Sequence, residues 1–191
     1  MQRLLLFCSV VVATLALAPS SNGQTTLAGI SVPKTISVNG NQLNLNGAGI
    51  RSFQLAVIPI RIYVAAFYSP APVRSLSDAI QSSGPLAFNF TFLRDVDEDD
   101  VIDAWTSQLE SSVTQPYPGW QADVQRFASA FPAITKGDTQ TVQVIGSNVL
   151  MLQNGRMLGQ ISSENFAQAF LSIWFGSNPV TPKLKQQLLG K

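Results

Sequence analysis

Apolar residues recur with a period of two through much of the chain, and with a helical period in a few blocks between. Ile36 and Val38 alternate with polar neighbours, and Leu43 and Leu45 resume the alternation after Asn39-Gly40. That pattern predicts two short strands between Ile30 and Leu45, joined by a tight turn. The Gly47-Ala48-Gly49 run is expected to break this hairpin from the next strand. Ile50 to Leu55 and Ile60 to Tyr68 are rich in β-branched and aromatic residues and predict a buried pair of strands, with Pro59 marking a break between them.

Ser75 to Ser82 predicts a short helix stopped by Gly84-Pro85, and Leu86 to Leu93 a strand. Asp95 to Ser112 carries the strongest helical signal. Asp97 is placed to cap it, Glu98, Asp99 and Asp100 sit on the positive end of the dipole, and Val101, Ile102, Trp105 and Leu109 share one face. Trp120, Val124, Phe127 and Phe131 form another helical stripe, ended by Pro132. Three strands follow: Thr139 to Ile145, Val149 to Gln153 and Arg156 to Ile161, the last two joined through Asn154-Gly155. Ser162 or Ser163 then caps a helix carrying Phe166, Phe170, Ile173 and Trp174, and Pro182 to Leu189 predicts a last short helix. Strands surrounding helices in this order imply an α+β fold, with helices on one face of a mainly antiparallel sheet.

The first residues belong to a different pattern. Met1-Gln2-Arg3 is a short basic start, Leu4 to Ala18 is apolar, and Pro19-Ser20-Ser21-Asn22-Gly23 is a polar break with small residues. This is the layout of a secretory signal peptide over residues 1–23, with cleavage after Ala18 as the alternative. It implies a secreted or periplasmic protein whose single domain spans 24–191. Cys8, the only cysteine, lies in that segment, and the chain has no histidine. The mature domain therefore excludes thiol nucleophiles, disulfides, imidazole catalysis and Cys or His metal sites. Without Arg3, eleven basic residues balance eleven acidic ones, which leaves no electrostatic footprint for nucleic acid. No segment after the signal is long and apolar enough to cross a membrane as a helix. No cofactor and no metal are implied, since helix capping explains the acidic run Asp95 to Asp100.

Arg51 is the residue with the sharpest chemical consequence. It opens a segment to Tyr68 whose only other charge is Arg61. A guanidinium does not go neutral inside a protein, so an inward Arg51 needs an anion. A hairpin centred near Val57 sets Arg51 opposite Tyr63 on one face, where a guanidinium and a phenol would converge on a single anion. The anion is either a carboxylate of the chain, such as Asp95 or Asp103, or one brought by a ligand.

Gly47-Ala48-Gly49-Ile50-Arg51, followed by an apolar hairpin ending in a tyrosine, resembles the chalcone isomerase superfamily. Phe92-Leu93-Arg94-Asp95-Val96, Ala104-Trp105, Phe131-Pro132 with Lys136-Gly137-Asp138, Leu171 to Gly176 and Pro182-Lys183-Leu184-Lys185 extend the likeness across nearly the whole mature chain. The resemblance implies an open-faced β-sandwich, a large antiparallel sheet with helices over a cleft. It also maps the catalytic positions of true chalcone isomerases onto this chain. Arg51 matches the catalytic arginine. Tyr63 stands where those enzymes have a threonine. Val101, Ala104 and Gln108 replace their tyrosine, lysine and asparagine, and Ile173 and Trp174 their C-terminal threonine and methionine. Val, Ala and Ile cannot steady a phenolate attacking an enone, so chalcone cyclisation is not expected.

Non-catalytic members of the superfamily bind fatty acids, holding the carboxylate with an arginine and a tyrosine, and Arg51 and Tyr63 resemble that pair. The partner implied is a small amphipathic carboxylate, its tail against Phe67, Phe90, Val101, Trp105, Phe170, Ile173 and Trp174. Two other readings stand beside it. One is an isomerase or lyase on an enone-like substrate, with Arg51 stabilising an enolate and Tyr63 as acid. The other is a domain whose cleft is filled by its own side chains.

Overall fold

The computed structural model describes residues 24–113 and 116–191. The signal-peptide expectation for residues 1–23 lies outside the described residues. The fold is α+β, built on a large antiparallel sheet. Seven strands follow one another as a meander: β3 (Thr35–Val38), β4 (Asn41–Leu55), β5 (Ile58–Ser69), β6 (Leu86–Phe92), β7 (Thr139–Ile145), β8 (Asn148–Gln153) and β9 (Arg156–Ser162). Each pairs antiparallel with the next; two-residue turns make four of the six connections, and helical segments lie between β5 and β6 and between β6 and β7. A separate hairpin, β1 (Gln24–Leu27) and β2 (Ile30–Pro33), packs Val32 against Val38, Leu43, Val64 and Tyr68 on one face of the sheet. The Tyr68 hydroxyl donates to the Pro33 carbonyl at 3.0 Å and ties the hairpin down.

The other face carries the main core and five helices: α1 (Leu76–Ile80), α2 (Glu98–Ser112), α3 (Trp120–Ala128), α4 (Glu164–Phe175) and α5 (Pro182–Leu188). Among the described residues, none of these is long and apolar enough to cross a membrane. Ser163, rather than Ser162, caps α4, its Oγ accepting from the Phe166 N–H at 3.2 Å. Asp97 occupies the N-cap position of α2 but makes no side-chain cap bond; the acidic first turn is left to meet the dipole. The residues just before it join the β-structure instead, Val96 bridging to Ile134.

Two breaks expected from the sequence are absent. The glycine run lies inside β4, which continues from Asn41 to Leu55. A Cβ on Gly47 would strike the backbone carbonyls of Gln187 and Leu188, and one on Gly49 the side chain of Gln187. These glycines let α5 lie directly on the strand; they do not end it. Pro59 sits within β5, paired with Gln54. β5 meets β6 only from Tyr63 to Tyr68, so near Pro59 it has a neighbour on one side alone and the missing N–H leaves no gap in a ladder.

Candidate functional site

The β4–β5 hairpin turns at Ala56-Val57, with Leu55 opposite Ile58. Continued without interruption, that register would set Arg51 opposite Ile62 and send Tyr63 to the other face. An extra residue intervenes. Ser52 pairs with Arg61 and Arg51 with Tyr63, leaving Ile62 as the bulge. The bulge thus brings guanidinium and phenol to adjacent strands on one face, and both Ile62 and Tyr63 line the same cleft.

That cleft has a volume of about 810 Å³, within the range of small-molecule sites. The sheet supplies one wall: Arg51 and Phe53 from β4, Tyr63 from β5, Phe90 and Phe92 from β6, Gln140 from β7. The opposite wall is Val101, Ala104, Trp105 and Gln108 of α2 together with Ile134, Trp174 and Val180. α2 packs mainly on α3 and α4 and stands off the sheet, which leaves the space open. Arg94, Asp95, Asp97 and Asp100 add charge along the cleft.

Arg51 is half-buried. Its Nη1 donates to the Ser52 carbonyl at 2.6 Å, which engages one of five N–H donors. Among the described residues no carboxylate lies within ion-pair distance of it; the one salt bridge there joins Arg126 to Asp123. Asp95, a candidate internal partner, accepts instead from the Lys136 backbone N–H at 2.7 Å. The Tyr63 ring packs edge-on against Phe90 and Phe92, at centroid distances of 5.3 and 5.4 Å. Desolvation pushes its phenol well above the ordinary value, against a smaller opposing pull from the Arg51 charge. At neutral pH the hydroxyl therefore keeps its proton and can donate.

Of the tail contacts expected from the sequence, Phe90, Val101, Trp105 and Trp174 line the cleft. Phe67, Phe170 and Ile173 do not. They are fully buried in the core, where Phe67 packs on Phe88 at 4.6 Å and on Phe175 at 4.9 Å. Val101, Ala104, Gln108 and Trp174, which the resemblance sets at catalytic positions, are at the cleft wall. Sequence reasoning missed Phe92 and Gln140, although a period-two signal existed for both. Phe92 is in phase with Phe88 and Phe90, and Gln140 is a polar residue in phase with inward-facing Val142 and Val144.

A family model described as chalcone isomerase-like matches residues 24–190. The chain belongs to the chalcone isomerase-like family. No curated protein matches it in sequence. Among solved structures it is similar to the Arabidopsis thaliana fatty-acid binding protein AtFAP1, with a TM-score of 0.71 at 16% identity, over 87% of this chain and 96% of that one. At that identity the likeness is one of fold.

Proposed function

We propose that this is an exported binding protein that holds a fatty acid or similar amphipathic carboxylate in the cleft between the sheet and α2. One observation carries the reading: Arg51 faces a cleft walled in part by Phe90, Phe92, Val101 and Trp105, with no carboxylate within ion-pair distance among the described residues, and with a protonated phenol beside it. The carboxylate would accept from Arg51 and Tyr63, and the tail would lie against Phe90, Val101, Trp105 and Trp174. The name of AtFAP1 supports the ligand class, and the basic, then apolar, then small-residue pattern of residues 1–23 supports export.

Magnitudes divide the roles. A charge-assisted hydrogen bond contributes about 1.5–3 kcal/mol net. Burying roughly ten methylenes contributes about 8 kcal/mol, against an association cost of at least ~4 kcal/mol. The tail thus supplies most of the affinity and Arg51 the orientation. Denaturing extraction and mass spectrometry of the purified protein test this. A fatty acid at about one per chain is expected, with Arg51→Ala weakening fatty-acid binding about 10- to 100-fold. Equal binding by wild type and Arg51→Ala would refute the role of Arg51.

The placement of Tyr63 opposite Arg51 also favours a second reading, an isomerase or lyase on an enone-like substrate with Arg51 stabilising an enolate and Tyr63 as the acid, although burial weakens that acid by raising its pKa. Turnover of enones followed by absorbance, and lost in Tyr63→Phe, would select it.

A further inference from the structure

Two residues that line the cleft each carry a buried side-chain atom without a hydrogen-bond partner: Trp174 Nε1, a donor, and Gln140 Oε1, an acceptor. The residues are 2% and 0% exposed. Such atoms are costly to leave unpaired, and groups of this kind are satisfied in most proteins. The orientation of the Gln140 amide follows from its neighbours. The Ala133 carbonyl can only accept, so Gln153 turns its Nε2 towards it, at 3.3 Å. Gln153 then offers Oε1 to Gln140 Nε2, at 3.4 Å, and Gln140 Oε1 is left over. Trp174 is held by stacking on Phe90 at a centroid distance of 5.1 Å, and Phe90 is the cross-strand neighbour of Gln140.

This pair is remote from the cation. Arg51 is on β4 and Gln140 on β7, three strands across and one row along, which separates their backbones by roughly 15 Å. A ligand anchored at Arg51 reaches it with a distant part of its chain. We infer that the cleft carries a second polar subsite, Trp174 Nε1 and Gln140 Oε1, selecting an amphipathic carboxylate that bears a hydroxyl far from its acid group. A hydroxyl placed between them would pair with both atoms, accepting from the indole N–H and donating to the amide oxygen. A plain alkyl chain satisfies neither, and a carbonyl only the indole.

The inference rests on the carboxylate reading above. The test is calorimetric titration of the delipidated protein with palmitic acid and its monohydroxy positional isomers. One isomer is expected to bind at least about tenfold more tightly than palmitic acid. Trp174→Phe, which deletes only the donor and some ring area, should collapse that ratio towards one, and Gln140→Leu should do the same. Arg51→Ala should weaken both acids and keep the ratio. If every isomer binds no better than palmitic acid, a trapped water satisfies the pair and the subsite is disproved while the carboxylate reading stands. If neither palmitic acid nor any isomer binds wild type, both fall. A preference that survives in both the Trp174 and Gln140 variants also overturns the subsite.

Discussion

The helix-covered face of the sheet is aromatic at both ends, yet only one end is solid. Around Phe67 and Phe88, rings from α4 drop onto the strands. Phe88 has Phe170 and Trp174 each at 5.4 Å, and Phe67, Phe88, Phe170 and Phe175 are buried. Around Tyr63 and Phe92 the same strands face α2, which presents Ala104 and Gln108 across about 810 Å³. The two ends share a strand pattern and differ in what the facing helix brings. Close approach closes one end, through α4 and through α5 seated on the glycines of β4. A helix braced on other helices leaves the second end open.

Mutations can break this contrast. The largest effect is expected at the solid end: Phe88→Ala should cost about 3–5 kcal/mol in denaturant unfolding, because a cavity there has no room to collapse. A value below about 1 kcal/mol would mean that this end is as loosely packed as the cleft. At the open end the reverse change should be tolerated. Ala104→Phe adds a ring facing empty space, so unfolding should shift by no more than about 0.5 kcal/mol, while fatty-acid uptake is lost by occlusion. Severe destabilisation would show that the cleft is already filled.

A third effect is a pH dependence. Burial raises the folded-state pKa of Tyr63 above its ordinary 10.0, so the folded state binds that proton more tightly than the unfolded state. Its contribution is whole below pH 10 and is lost as pH rises beyond it. Tyr68 and Tyr117 behave alike, each pushed up to about 12, chiefly by desolvation. Tyr63→Phe should therefore lose less stability than wild type between about pH 10 and pH 12, in urea midpoints measured across that range. Parallel profiles would place the Tyr63 hydroxyl in water.

Much of the fold was legible because strand and helix periods are local properties. β6 to β9 and the helices at Trp120, Phe166 and Pro182 follow from alternation, stripes and turn residues. The glycine run and Pro59 misled, since the sequence cannot say what approaches a glycine or whether a proline faces an unpaired side. β1, at Gln24–Leu27, has too little apolar alternation to announce itself. Arg51 and Tyr63 stood out because a permanent cation in an apolar stretch is chemically conspicuous. The cleft-lining rings did not, since Phe67 and Phe90 carry the same local signal, yet the first packs into the core and the second lines the cleft.

What the chain determined alone is its period, its turns, the lack of histidine and of any thiol after Cys8, and a permanent cation, Arg51, in a stretch with one other charge. Whether that cation meets its own carboxylate, which strand residue is extruded to bring Tyr63 beside it, and which aromatics border empty space were decided in three dimensions. These depend on register and on distances between elements far apart in sequence, and no local pattern encodes a distance.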